Sequence, residues 1–330
     1  MAMQTIGKAL GAMGLSPSLT EVFFVNHEEE VQKAKFADHL AKHGISYDTD
    51  EEYQMRMSIF SAKDAEIQQI NSSQNSFTVG HNHLSTLTAD EINQRKGHTF
   101  AHDQALEKLP EDTDLMGYSA SVNWVTAGKV NPVQNQGQCG SCWAFSSIAA
   151  IESANAIKTG ALYKLSEQQL VDCDQYANGC NGGNYAPAFY YAMSNKITTE
   201  AKYPYTGVAG TCSTSLAAAG RVGLSTYAAV TSKSIDAFKT ALSKQPVGVA
   251  VDASSTIFQQ YTGGIVDSTA CGQSIDHAVT AVGYGNENGQ DYTLIRNSWG
   301  PYWGDQGYIK VALNSQDICA VLLQPYYPTI

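Results

Sequence analysis

The sequence predicts an α+β protein in two parts. A mainly helical front domain covers residues 18–117, and a helical lobe followed by a β-rich, barrel-like lobe covers residues 118–330. Three observations carry this. Between Ser18 and Asn75 apolar residues recur at mixed three- and four-residue spacing with no proline, the period of helices that bury one face. Beyond Val247 the pattern changes to short runs of β-branched and aromatic residues punctuated by glycine, as strands require. Composition also breaks at Tyr118: residues 1–117 hold 9 Lys/Arg against 18 Asp/Glu, net −9, with seven of the eight His, whereas residues 118–330 hold 11 against 13, net −2, with all seven Cys.

A 330-residue chain that is 43% hydrophobic and 15% charged has the material for packed cores and argues against disorder. Its net charge of −11, with no run rich in Lys or Arg, leaves no electrostatic footprint for nucleic acid or an anionic membrane. Apolar stretches such as Val247–Val251 fall far short of the roughly 20 residues a membrane-spanning helix needs. The expectation is a monomer that engages neither nucleic acid nor membrane.

Residues 1–17 lack the dense run of ~7–15 apolar residues of a secretory signal, so they read as a leader or an expression-derived segment. From Ser18 the first helix offers Val22, Phe23, Val31, Phe36 and Leu40 as its apolar stripe. A turn over Gly44–Asp50 follows, then a second helix carrying Phe60 and Ile67 toward a core. Residues 93–117 are polar and aperiodic, hence an extended linker. Further on, Ser141 stands where it can cap a helix from Cys142 to about Lys158, with Trp143, Ile148 and Ile151 for burial and Gly160 as its stop. Ser166 to Gln169 has capping-box spacing for a shorter helix. Strands are expected at Val247–Val251, Ala278–Tyr284, Tyr292–Arg296 and Tyr308–Leu313. A cleft between two such lobes suits a site assembled from distant segments.

The run Asn135-Gln136-Gly137-Gln138-Cys139-Gly140-Ser141-Cys142-Trp143 puts a thiol at the start of a helix and an amide donor six residues upstream. A nucleophile and its oxyanion site need that layout. An odd number of cysteines suggests bridges plus one free reactive thiol. The part after Tyr118 contains one histidine, His277, so an imidazole partner for a thiol there has one candidate. A redox reading of Cys139-Gly140-Ser141-Cys142 fails because its flank is short, contains Pro132 and shows no crossover pattern. A zinc reading fails because no second close Cys or His pair accompanies it. No metal or other cofactor is implied.

Cys139 to Trp143 resembles the signature of papain-like cysteine proteases. Ser274-Ile275-Asp276-His277-Ala278-Val279 with Gly283-Tyr284-Gly285 resembles that family's histidine segment, and Arg296-Asn297-Ser298-Trp299-Gly300 its asparagine segment. In the front domain Glu52, Arg56, Phe60, Ile67 and Asn71 resemble the cathepsin L-type propeptide pattern, with Lys63 where Asn is usual. Gly80 to Thr86 stands at the place of a second propeptide element, with Leu84 and Thr86 for its Phe and Asp. Ser121-Val122-Asn123-Trp124 resembles the run that opens mature family members, which sets the mature start near Tyr118.

The resemblance implies a papain-like two-lobe fold behind a helical inhibitory propeptide (18–117) that crosses the active-site cleft, and a peptidase domain over 118–330. It implies the pairs Cys139–Cys180, Cys173–Cys212 and Cys271–Cys319, which leave Cys142 free, and bridging of this kind implies a secreted or endolysosomal route. It assigns Cys142 as nucleophile, His277 as base and acid, Asn297 as the group holding the imidazole, Trp299 as its shield, and Gln136 with the Cys142 N–H as oxyanion donors. Protein and peptide substrates would lie along Cys180-Asn181-Gly182-Gly183-Asn184-Tyr185, a rail where glycines admit a strand. Tyr185, Ala250, Ile275, Ala278 and Gln324 would form the main specificity pocket, beside Asp276, favouring Leu, Phe or Val with tolerance for polar or basic groups. No long insertion with paired histidines is present, which favours endopeptidase activity. Thr293 replaces the usual Trp and bears on packing near Asn297. Acid would charge the front-domain histidines and loosen that domain. The alternative is a non-catalytic binding or storage protein on the same fold.

Overall fold

The computed structural model describes residues 17–99 and 117–330, with side chains from residue 27. Residues 1–16 of the expected leader (1–17), the side chains of Val22 and Phe23, and residues 100–116 of the expected linker (93–117) lie outside the described residues. Contacts divide the chain into two compact units, Met1–Ala65 and Glu66–Ile330, so the break falls inside the second helix and residues 66–99 fold with the later part.

In the first unit, helix α1 (Pro17–His43) ends where Gly44 takes φ +64°, a conformation glycine adopts without a Cβ penalty. Helix α2 (Asp50–Ser73) starts with three acidic residues in its first turn, favourable against the helix dipole. Phe36 is fully buried, 5.1 Å from the Tyr53 ring and 5.4 Å from Phe60. Lys35 and Gln32 both bind the Asp64 carboxylate. Val31, expected in this core, is 41% exposed, and buried His39 packs beside Phe60 instead. The helical period explains it: Val31 points about 140° around the helix from Phe36, whereas position 39 shares its face.

The second unit begins with the end of α2, β1 (Phe77–Val79) and α3 (Ala89–Asn93). After residue 117 come β2 (Val122–Asn123), α4 (Cys142–Thr159), α5 (Glu167–Cys173), α6 (Tyr185–Ser194), α7 (Thr214–Ala217), β3 (Thr226–Ala229) and α8 (Ile235–Lys244). Then follow β4 (Val247–Val251), α9 (Thr256–Gln259), β5 (Tyr261–Val266), β6 (His277–Glu287), β7 (Gln290–Arg296), β8 (Tyr308–Ala312) and β9 (Tyr326–Thr329). Among the described residues the sheet runs β1-β5-β8-β7-β6-β4-β9-β3, with β2 also on β6, and only β5 against β8 is parallel.

Two cores result. Trp143, Ile148, Ile151, Leu170, Tyr185 and Phe189 fill the helical side, and Phe77, Phe238, Val249, Phe258, Val279 and Trp303 fill the sheet side. Between them Ser146 of α4 donates to the Val279 carbonyl of β6 at 2.7 Å, which ties the helix that carries Cys142 to the strand that carries His277. Disulfides join Cys139–Cys180, Cys173–Cys212 and Cys271–Cys319, and Cys142 is free. Asn71, the acceptor of a glycosylation sequon, instead pins α2 to β1, donating to the Val79 carbonyl and accepting its N–H. Thr293 is buried and its hydroxyl donates to Gly283 of the adjacent strand, so the position usually given to Trp is satisfied locally. No helix among the described residues is long and apolar enough to cross a membrane.

Candidate active site

Cys142 is the first residue of α4 and is fully buried. The Cys139–Cys180 bridge and the Gly140 N–H to Cys180 carbonyl bond hold the preceding loop against the 179–184 rail. Ser141 occupies the N-cap position but makes no capping bond. Its hydroxyl pairs with Tyr205 at 2.7 Å, and Tyr205 donates onward to the Gln136 carbonyl at 2.8 Å. The start of α4 is therefore free of a side-chain acceptor, and the backbone N–H groups of Ala278, Gly97 and Trp143 favour the thiolate. Burial outweighs them and pushes the thiol up to about 11.

His277 opens β6 and is likewise fully buried. Its Nε2 lies 2.7 Å from Asn297 Oδ1, an atom that also accepts the Ser298 N–H at 2.8 Å. That second bond fixes the amide orientation, so Nε2 must carry the proton and Nδ1 presents its lone pair. Nδ1 is buried with no hydrogen-bond partner. The Trp299 ring packs 4.6 Å from the imidazole, with Phe258 edge-on to Trp299 at 5.6 Å, which keeps water from the His277–Asn297 bond. Burial pushes the imidazole down to about 3. In this covered cleft burial favours both neutral forms.

Gln136 is fully buried, and three bonds orient its side chain. Oε1 accepts from the Ser298 hydroxyl at 2.6 Å, while Nε2 donates to the Cys139 carbonyl and, at 2.7 Å, to the Arg95 carbonyl. The donor expected to meet a substrate oxyanion thus holds a carbonyl from the front of the chain. Residues 95–99 continue across the site. Gly97 accepts from the Gly183 N–H, Thr99 donates to the Gly183 carbonyl, and His98 pairs parallel to Gly183. Lys96 pairs with Asp276 at 2.7 Å, and Asp276 takes the His98 N–H on its backbone carbonyl.

His98 fills the space expected to be the specificity pocket. Its ring stacks on Tyr185 at 5.2 Å and 19°, and its Nε2 meets Gln324 Oε1 at 2.9 Å. Ala250 and Ala278, paired across β4 and β6, and half-buried Ile275 pack into the same cluster as Tyr185. Gly182 and Gly183 permit this closeness: a Cβ on Gly183 would lie 2.6 Å from the Trp143 ring and one on Gly182 2.8 Å from the Gly97 carbonyl.

All the site residues expected from the sequence lie within Glu66–Ile330, and Trp299 packs against the His277 imidazole. Residues 95–99 belong to the stretch expected to cross the cleft, whereas the contacts of Ser298 with Gln136, of Tyr205 with Ser141 and of His98 with Gln324 are ones that sequence reasoning missed. Ser298 could have been found as the neighbour of Asn297; Tyr205 and His98 carry no local signal. Ser166 accepts the Gln169 N–H as a cap, but the Gln169 side chain turns to Thr198 and Lys196 in place of closing a box.

Comparison with known proteins agrees with this geometry. The model for the papain family cysteine protease matches residues 118–329, and that for the cathepsin propeptide inhibitor domain (I29) matches residues 36–92. The chain is 38% identical over 299 residues to papaya proteinase 4 of Carica papaya, covering 89% of this chain and 86% of that protein. It superimposes on digestive procathepsin L2 from Tenebrio molitor larval midgut with a TM-score of 0.84 at 35% identity, over 91% of this chain and 100% of that one. It also resembles a Carica candamarcensis cysteine protease solved in complex with E-64, with a TM-score of 0.61 at 43% identity, over 64% of this chain and 98% of that one. The chain therefore belongs to the papain family of cysteine proteases and carries, ahead of the protease, a cathepsin-type propeptide inhibitor domain.

Proposed function

We propose that the protein is a zymogen in which residues 18–117 act as the propeptide, residues 118–330 as the endopeptidase, and Cys142 as the nucleophile. The observation that carries this is the His277 tautomer: Nε2–H is committed to Asn297, and Nδ1 is left bare to take the thiol proton. Once the cleft opens, water and substrate replace the covering segment, and the penalty on the charged forms of Cys142 and His277 falls. Cys142 Sγ then attacks the scissile carbonyl carbon while the oxyanion accepts from Gln136 Nε2 and the Cys142 N–H. His277 protonates the leaving amine, and water, deprotonated by His277, releases the acyl group and restores the thiol.

Peptides with Leu, Phe or Val next to the cleaved residue suit the apolar walls Tyr185, Ala250, Ile275 and Ala278, and Gln324 adds tolerance for polar groups. Three disulfides support a route to a lysosomal or vacuolar compartment or to the exterior. The test is titration of the intact chain with E-64 at pH 7.5 and after incubation at pH 4.5, with mass spectrometry of the adduct. Labelling of Cys142 only after acid, together with loss of the front domain and new peptidase activity, is expected. An unlabelled Cys142 after the front domain has gone would sink the catalytic reading.

Gly97 tests the inhibitory contact itself. A Cβ there would lie 2.0 Å from the Gly140 carbonyl oxygen, a backbone atom that cannot swing aside. The Gly97→Ala zymogen is expected to react with E-64 at pH 7.5 at least 100-fold faster than the wild-type zymogen, equivalent to about 2.7 kcal/mol of lost docking. Labelling as slow as wild type would show that residues 95–99 do not close the cleft.

A further inference from the structure

We propose that Tyr205 is a positioning residue for the reaction: its hydroxyl ties the oxyanion glutamine to the start of α4 and holds the Ser141 hydroxyl away from a backbone N–H that serves the nucleophile. This deepens the function proposed above and rests on it. Counting protons fixes the direction of the relay. The Gln136 carbonyl can only accept, so the single Tyr205 hydroxyl proton goes to it, at 2.8 Å. The Tyr205 oxygen is left as an acceptor, and the Ser141 hydroxyl at 2.7 Å is its donor. Tyr205 is itself held from two sides. Its N–H donates to Glu200 Oε1 at 2.8 Å, and Phe145 of α4 meets its ring edge-on at 4.9 Å. Burial pushes the phenol up to about 12, so it remains a donor across the acid and neutral range.

The first consequence falls on the oxyanion site. Its two donors, Gln136 Nε2 and the Cys142 N–H, are separated by a loop that bends at Gly137, φ +65°. The Gln136 N–H binds the Ser298 carbonyl at 2.9 Å and its side chain the Ser298 hydroxyl, so both of these ties lead to the asparagine segment. The Gln136 carbonyl leads instead, through Tyr205, to Ser141, the residue before Cys142. The relay thus sets one donor against the other. Left without Tyr205, the buried carbonyl carries a desolvation cost and the Gln136 amide is aimed less well.

The second consequence falls on the thiolate. A serine at an N-cap ordinarily accepts the N–H of the second or third helical residue, here Trp143 or Ala144. The Ala144 N–H already binds the Ser141 carbonyl at 2.8 Å, which leaves Trp143. The Trp143 N–H favours the Cys142 thiolate, together with the N–H groups of Ala278 and, in the zymogen, Gly97. Gly97 departs with the propeptide, so the thiolate of the mature enzyme depends on Trp143 and Ala278. A Ser141 hydroxyl released from Tyr205 would swing onto the Trp143 N–H and take it from the sulfur. The titratable groups about this cluster are Glu167 and Glu200 beside Tyr205, and Asp276 and Tyr185 beside Cys142, with His277 adjoining Asp276. Tyr205→Phe leaves each of them in place.

The experiment compares acid-activated wild type, Tyr205→Phe and Tyr205→Phe/Ser141→Ala, each quantified by E-64 titration so that misfolded protein drops out of every rate. Tyr205→Phe keeps the ring against Phe145 and removes the hydroxyl alone. Its kcat for a fluorogenic peptide is expected to fall by about tenfold or more, with KM within about threefold, because the oxyanion forms only on the way through the transition state. The acid midpoint of Cys142 alkylation by iodoacetamide is expected to rise by about one pH unit, the scale of one hydrogen bond to a charged group. The double variant has no hydroxyl to swing, so its midpoint should return to the wild-type value while its kcat stays low. A kcat loss below about threefold in Tyr205→Phe, a midpoint that does not move, or a raised midpoint that the double variant fails to restore overturns the proposal. Peptide cleavage by the wild type leaves the protease reading intact in each of those cases. Wild-type enzyme that E-64 fails to label and that cleaves no peptide overturns both.

Discussion

Mature enzyme carrying His277→Ala is expected to lose about 10,000-fold or more in kcat/KM, the scale of removing the base from a nucleophile–base pair. His277 is buried against Trp299 and supplies the lone pair at Nδ1, and it is the one histidine after Tyr118, so no second imidazole can substitute. The variant also separates a chemical role from a structural one. Cys142 of the wild-type mature enzyme should alkylate readily at pH 5, because the thiolate is held by its ion pair. In His277→Ala the alkylation rate should rise only toward the ordinary thiol value of ~8.5. Asn297→Ala should cost less, roughly 10- to 100-fold, since Trp299 still supports the ring and only the tautomer and its orientation are lost. A loss below tenfold for His277→Ala, with alkylation unchanged, would remove His277 from the mechanism.

The parts of the site that the sequence made legible share one property: each sits on a local pattern. Cys142 stands at a helix start that is bounded by Gly160, whose φ of +80° ends α4. His277 and Asn297 lie at the ends of strands recognisable from their apolar runs. The parts that stayed hidden depend on contacts with no sequence period. His98 meets Gln324 across 226 residues, and Arg95 meets Gln136 across 41. Helix α6 escaped notice because it is apolar on nearly every side and carries Pro187 in its first turn, where proline is tolerated. Its exposed positions Tyr190 and Met193 are apolar too, so the polar face that marks an amphipathic helix is missing. Helix α3 was within reach, since Thr88 and Glu91 form a complete capping box. Seven front-domain histidines look equivalent in the sequence; in the fold, His98 is stacked on Tyr185 in the pocket and His39 packs at a tilt against Phe60 in the front core.

That difference makes acid release testable at one residue. Docked, His98 is held down to about pH 4 by burial, with Gln324 opposing the shift only in part. Released into water it returns to ~6.5. Docking therefore excludes a proton, and between those two values every fall in pH favours the open state. At pH 4.5 the linkage weakens docking by roughly 60-fold, about 2.4 kcal/mol, relative to pH 7. His277 adds in the same direction, since burial beneath the segment lowers it too. Asp276 acts the other way: burial raises its carboxyl in the docked state, so its protonation favours docking and offsets part of the histidines' effect. In His98→Gln the side chain still offers an N–H to Gln324 but cannot titrate. Initial rates of E-64 labelling of the zymogen, divided by those of mature enzyme at each pH, report the open fraction without interference from the pH dependence of the thiol itself. The wild-type ratio is expected to climb about 100-fold or more from pH 7.5 to 4.5, with most of that rise lost in His98→Gln and the remainder carried by His277. If the two zymogens open along the same curve, His98 is a filler of the pocket and the acid trigger lies among the other groups.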